Sequence, residues 1–138
     1  MKSMRRWSLL ALLGGSIVFT GWSRAQNGQQ ASSSSEGVAG TVEGIVRDIS
    51  CPMQNKKSTA TQFDLECARQ CARSGSPLII LTNDGTLYVP ISGSTPDVSQ
   101  RERLMPLVGK RVRVTGILYE RAGTHAVAIK EIQPQPEK

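Results

Sequence analysis

The sequence predicts a small all-β domain with one or two short helices. Three stretches, "VAGTVEGIVRDI", "SPLIILTNDGTLYVPI" and "RVRVTGILYERAGTHAVAIKEI", together carry five strand-like runs. A helical segment separates the third run from the fourth, and glycines inside the runs indicate bent strands. This order predicts a five-stranded, OB-fold-like Greek-key barrel, with a small β-sandwich as the alternative.

The first strand shows the period-two pattern that places alternate side chains on one face. Val38, Val42 and Val46 share that face, and Gly40 and Gly44 lie between them. Glycines within a strand mark a bulge or a tight bend. We therefore expect this strand to curl.

Two predicted turns place the remaining four strands as two hairpins. Asn83-Asp84-Gly85 lies between two apolar runs, and Asp-Gly is a strong hairpin signal, so the second and third strands should flank it. The fourth and fifth strands should form a hairpin around Ala122-Gly123. In the fourth strand, a central glycine again predicts curvature.

The segment between the third and fourth strands, "STPDVSQRERLMPLVGK", predicts a helix. Thr95 is placed as its N-cap, Pro96 occupies the first helical position and Asp97 lies in the first turn. We expect this helix to stop before Pro106.

The N-terminus has the layout of a secretory signal peptide over residues 1–25. Lys2, Arg5 and Arg6 precede a short apolar run, and small residues follow up to Ala25, where we expect cleavage. The general secretory route is the expected one, with twin-arginine export as the alternative. The mature protein should be periplasmic or secreted, soluble and without a membrane span.

The rest of the chain divides by composition. Residues 26–37 predict a flexible linker, 38–132 the folded domain and 133–138 a flexible tail. The formal charge of +6 mostly reflects the signal peptide, which holds 4 of the 17 basic residues. The 13 that remain face 11 acidic residues, so the mature charge is +2 and does not indicate a nucleic-acid partner.

All three cysteines lie in the connection between the first two strands. Within it, "TATQFDLECARQCARSGSP" predicts a short helix capped by Thr61 or Asp64. Cys67 and Cys71 are four residues apart and so lie on one face of that helix. Their side chains project in parallel, so Cys51 is the natural disulfide partner of one of them.

Three hypotheses account for these sulfurs. The first is a structural disulfide from Cys51 to Cys67 or Cys71, with the third thiol buried and no cofactor. The second is a zinc or copper site on all three thiolates, with Met53, Asn55 or His125 as a fourth ligand. The third is thiol redox chemistry or a disulfide-linked dimer.

Other chemistry has little support in the sequence. His125 is the only histidine, no carboxylate pair is placed by a motif, and no phosphate-binding glycine pattern occurs, so we do not expect an enzyme. The fold class raises oligonucleotide or oligosaccharide binding. Arg111, Arg113 and Tyr119 share an outward face, which is the candidate ligand surface for that alternative.

Several motifs resemble small exported bacterial OB-fold proteins of mostly unassigned function. They are "GTVEGIVRDISC", Cys67-x-x-x-Cys71 followed by "SGSPLIIL", and "LVGKRVRVTGIL", and the resemblance covers most of residues 40–132. It implies export and a barrel. Relatives of that kind often carry Gly after the first cysteine and a His a few positions later; Pro52 and Asn55 stand there in this chain.

Together these observations predict an exported binding or envelope accessory module. Its partner should be a small ligand or another envelope protein, and the cysteine-bearing connection is where we expect a ligand to bind.

Overall fold

The computed structural model describes residues 37–136, which form a closed five-stranded barrel. The strands are β1 (Val38–Asp48), β2 (Leu78–Leu81), β3 (Leu87–Ile91), β4 (Arg111–Arg121) and β5 (Thr124–Pro134). Their order around the barrel is β1-β2-β3-β5-β4, with β3 and β5 parallel and every other pair antiparallel. This confirms the predicted OB-like barrel over the sandwich alternative.

The long strand β1 closes the barrel because it pairs with two neighbours in turn. Its first part, Val38 to Ile45, pairs with β4, and its last part, Ile45 to Asp48, pairs with β2. The change of partner comes directly after Gly44, where a Cβ would lie 2.6 Å from the carbonyl oxygen of Leu81. Only a glycine fits this close approach, so Gly44 permits the change of partner at a position where the sequence predicts a bend.

The core fills the barrel interior with aliphatic side chains from every strand except β3, together with residues of the helices. Val38, which the sequence places on the same face as Val42 and Val46, is 70% exposed at the start of β1, whereas the other two are buried. The fully enclosed members of the core are Val46, Ala68, Ala72, Ile80, Leu104, Val112, Val114 and Val127.

Three short helices accompany the strands. They are α1 (Ser50–Gln54), α2 (Leu65–Arg73) and α3 (Arg101–Leu104), the last followed by a 3₁₀ turn, Met105–Leu107. Both α1 and α2 lie in the connection between β1 and β2. Among the described residues, no helix is long and apolar enough to cross a membrane.

The helix before β4 begins later than predicted. Thr95 does not cap it, and α3 starts at Arg101. The Asp97 carboxylate instead accepts hydrogen bonds from the backbone N–H and hydroxyl of Ser92, at 2.7 and 2.8 Å, which holds this segment as a loop. The α-helical part does end before Pro106, as predicted.

The predicted segment boundaries fall largely outside or near the edges of this region. The signal peptide and all but the last residue of the predicted linker lie outside the described residues. At the other end, β5 runs to Pro134, two residues past the predicted end of the domain, and the Gln135 N–H donates to the carbonyl of Arg111.

A matched pair of glycines tests the barrel closure, since Gly40 and Gly116 face each other across β1 and β4. A Cβ at Gly116 would collide with the backbone carbonyl of Ala128, whereas at Gly40 it would meet only the flexible end of Leu118. We expect Gly116→Ala to lower the free energy of unfolding by about 2 kcal/mol or more, and Gly40→Ala by less than about 1 kcal/mol. Urea unfolding measures both; equal losses would contradict this account.

Candidate metal centre

Cys51 is positioned by the turn that ends β1. The chain enters α1 directly after the strand, and the Asp48 carboxylate accepts a hydrogen bond from the Cys51 backbone N–H at 2.9 Å. Asp48 is completely buried. The first cysteine is therefore held against the rim of the barrel by a short and enclosed contact.

Cys67 and Cys71 are positioned by α2. Asp64 caps this helix, because its carboxylate accepts from the Cys67 backbone N–H at 2.9 Å, which confirms the second of the two predicted caps. Ala68 and Ala72 are buried against the barrel. Each cysteine immediately precedes one of these alanines, so the helix packing also fixes where the thiols lie.

The three sulfur atoms lie close together. Cys51 Sγ lies 3.6 Å from Cys67 Sγ and 3.9 Å from Cys71 Sγ, and all three sulfurs are within 4.8 Å of one another. Tetrahedral zinc with Zn–S bonds of about 2.3 Å holds neighbouring sulfurs about 3.8 Å apart. The two separations from Cys51 therefore match the spacing of metal-bound thiolates.

The disulfide between Cys51 and one of the helical cysteines stays a prediction. All three cysteines belong to the described residues and are free thiols. Cys51 has Cys67 and Cys71 at nearly the same distance, so the geometry selects neither as its partner.

The environment of Cys51 suppresses its ionisation. Burial, followed by hydrogen bonding with Cys67 and the neighbouring Asp48 carboxylate, raises the pKa of the Cys51 thiol from 9.0 to about 12. In the absence of a metal this cysteine is a neutral thiol at physiological pH.

Arg47, next to Asp48, anchors the loop that leads into α2. It is completely buried, and its guanidinium donates to the Thr59 carbonyl at 3.1 Å and to the Ser58 hydroxyl at 2.9 Å. The same group stacks over the Phe63 ring at 4.2 Å. The Nε of Arg47 and the Oδ1 of Asp48 have no hydrogen-bond partner among the described residues.

Sequence reasoning did not identify Arg47 and Asp48 as part of the site. The available signal was two adjacent opposite charges at the end of an apolar strand, immediately ahead of a cysteine. Period-two alternation would have placed one of them on the solvent face, but the connection covers that face and buries both.

A cavity of about 440 Å³ opens beside the trio. Cys51 and Cys67 line it, and Cys71 does not. The other lining residues are Arg47, Gln54, Asn55, Lys57, Ser58, Gln62, Phe63 and Asp64.

The three residues predicted as a fourth ligand lie in different places. Met53 is 65% exposed on α1. Asn55 lines the cavity and accepts from the Lys57 N–H. His125 is the second residue of β5 and lies opposite Tyr88, with the ring centroids 5.4 Å apart. The structure does not bring it into the cysteine cluster.

On the predicted ligand face of β4, both arginines already bond to neighbouring side chains. Arg113 pairs with Glu43 on β1, and Arg111 donates to the side chain of Asn83 at 2.9 Å. Tyr119 is half-buried beside Gly37. Much of the hydrogen-bonding capacity of this face is therefore already used.

No family model, no curated protein and no solved structure matches this chain. The fold and the geometry of the cysteine site therefore carry the functional inference.

Arg47→Met tests the anchor of the loop. The substitution removes the donors to Ser58 and Thr59 and leaves Asp48 buried without its cationic neighbour, so we expect it to lower the free energy of unfolding by about 3 kcal/mol. Arg113→Met is the matched control, since it breaks an exposed ion pair and should cost less than about 1 kcal/mol. Chemical denaturation distinguishes the two, and a small loss for Arg47→Met would contradict its anchoring role.

The raised pKa of Cys51 predicts a pH dependence for the reduced, metal-free protein. The folded thiol has a pKa of about 12 against 9.0 for an ordinary cysteine, so its contribution to stability is present below about pH 9 and is lost as the pH rises toward 12. Denaturant midpoints across this range should fall, and Cys51→Ser should reduce the fall. An identical pH profile in the variant would refute the assignment.

Proposed function

We propose that this protein is an exported binding module that holds a thiophilic metal ion, Cu(I) or Zn(II), on Cys51, Cys67 and Cys71. The observation that carries this proposal is the spacing of the three sulfurs, 3.6 and 3.9 Å from Cys51 to the other two. Two separate segments of the chain supply these thiols, and each segment is held by a buried or capping contact.

A metal ion would bind all three sulfurs, whereas a disulfide would join only two of them. A bond from Cys51 to one helical cysteine requires the sulfurs to approach to about 2.05 Å and leaves the other thiol unused. Three thiolates around one ion need only small changes from the observed separations. The geometry therefore favours coordination over a structural staple.

The donor set favours soft ions. Thiolate ligands select Cu(I) and Zn(II), while Ca²⁺ and Mg²⁺ prefer oxygen. Three thiolates satisfy trigonal Cu(I), whereas zinc takes a fourth donor. The other functional class, thiol redox chemistry, has less support because Asp64 and Glu66 place carboxylates at the start of α2, where a reactive thiolate would need positive charge.

Export of the protein is supported by the first 25 residues. Their basic start, short apolar core and small residues at the expected cleavage point have the layout of a secretory signal peptide. The proposed module therefore works in the periplasm or outside the cell.

Oligonucleotide or oligosaccharide binding is the weaker alternative. OB-folds commonly bind such ligands on the second and third strands and the neighbouring loops. Here the connection covers part of the outer surface of β1 and β2, where Ile45, Ile79 and Leu81 pack with Ala60. Phe63, one of the few aromatic side chains available for stacking, also packs against this cluster.

Metal analysis of the exported protein, purified without oxygen, tests the proposal. We expect about one equivalent of copper or zinc, and a loss of affinity of more than tenfold in each of Cys51→Ser, Cys67→Ser and Cys71→Ser, since even outer-shell substitutions commonly cost about 10–100-fold. His125→Ala is the control, and it should bind metal as the wild type does.

The competing hypotheses give different results in the same samples. One disulfide, one free thiol and no metal would establish the structural staple and overturn the metal proposal. A dimer that persists only without reductant would indicate intermolecular pairing. Binding of short single strands that weakens steeply with salt would support the nucleic-acid alternative.

A further inference from the structure

The cavity next to the cysteines is too large to serve only a water molecule. Its volume of about 440 Å³ lies in the range of small-molecule sites, about 300–1,000 Å³, and far above the roughly 30 Å³ that one water occupies. One wall is formed by Cys51 and Cys67, so an occupant of the cavity would lie directly against two of the three proposed ligands.

The proposed metal site has three protein donors where zinc takes four. Among residues 37–136, the group of His, Cys, Asp and Glu side chains whose donor atoms come together contains only the three cysteines. Asn55, the predicted fourth ligand that lines this cavity, already accepts a hydrogen bond from the Lys57 N–H at its Oδ1. A zinc ion bound by the three cysteines would then have a coordination position left for a ligand from outside the protein. The cavity is the space through which such a ligand would reach it.

The walls of the cavity indicate the chemical class of this ligand. The half-buried Phe63 ring, with the Arg47 guanidinium over it, adds apolar surface to the wall. Lys57 provides an exposed ammonium group that makes no ion pair with any described residue. Asp64 is the acidic side chain in the lining, and its carboxylate is already bound to the Cys67 N–H. An anionic group is therefore matched by Lys57, while a soft metal favours sulfur as the donor.

We propose that the cavity is a subsite for a small organic thiol that carries a carboxylate, and that its sulfur supplies the fourth ligand to zinc bound by the three cysteines. This inference rests on the proposed metal-binding function. On binding, the sulfur–metal bond forms, the thiol proton passes to solvent, and a water molecule leaves the fourth position. The carboxylate lies toward Lys57 and the hydrocarbon part against Phe63.

The probe for this subsite is 3-mercaptopropionate added to the exported protein loaded with Co(II), whose absorption spectrum reports the number of sulfur ligands. We expect the sulfur-to-cobalt absorption to increase and native mass spectrometry to show protein, cobalt and thiol together. Butyrate, which has the same carboxylate and similar length without the sulfur, should leave the spectrum unchanged.

Adjacent lysines provide a matched test of the charge. Lys57 lines this cavity, whereas Lys56 does not. Lys57→Met should weaken 3-mercaptopropionate binding about three- to fivefold, as expected for an exposed ion pair, and should not change the binding of ethanethiol. Lys56→Met should leave both affinities as in the wild type.

The outcomes separate this inference from the function on which it rests. Failure of the protein to bind Co(II), Zn(II) or Cu(I) would overturn the proposed function itself. Binding of Co(II) with no spectral change on adding the thiol would overturn only the subsite. Removal of cobalt by the thiol, with no ternary complex in the mass spectrum, would also overturn it.

Discussion

Arg47 and Asp48 connect the barrel to the cysteine site through hydrogen bonds made by two buried side chains. Both side chains are completely buried at the end of β1. Arg47 holds the loop at Ser58 and Thr59, and Asp48 holds the backbone of Cys51. Burying two charges is costly, and these polar contacts partly offset that cost. The position of the first thiol therefore depends on the same strand end that closes the barrel.

The two thiols on α2 depend on a different constraint. Buried alanines place α2 against the barrel, so the helix sits close to the strands and its cysteines face the end of β1. Bulky side chains at Ala68 and Ala72 would push the helix outward and separate Cys67 and Cys71 from Cys51. Small residues on one helix face and a buried charge pair on one strand thus bring together thiols that are distant in sequence.

Disulfide formation and metal binding would compete for the same three cysteines. Cys51 has two potential disulfide partners, and its separations from both match the spacing of metal-bound thiolates. A bound metal would require Cys51 to lose a proton that its surroundings hold firmly when no metal is present. Oxidation would remove at least two of the three donors. The redox state of the compartment would therefore bear directly on the proposed metal binding.

The sequence was informative where structure is local. The Asp84-Gly85 and Ala122-Gly123 turns, the Asp64 cap and the end of α3 before Pro106 all depend on neighbouring residues, and the structure contains each of them. The Thr95 cap was wrong because Asp97, two residues further along the chain, accepts a hydrogen bond from Ser92, five residues before it. A local capping pattern could not reveal that competing contact.

By itself, the sequence determined the fold class, the order of the strands and the placement of Cys67 and Cys71 on one helix face, since periodicity and turn chemistry act over a few residues. Only the tertiary structure decided the distance from Cys51 to those cysteines, which lie 16 and 20 residues away. It also decided the burial of Arg47 and Asp48 and the cavity beside the sulfurs. These features arise where separate segments pack together, and no short-range pattern in the chain encodes that packing.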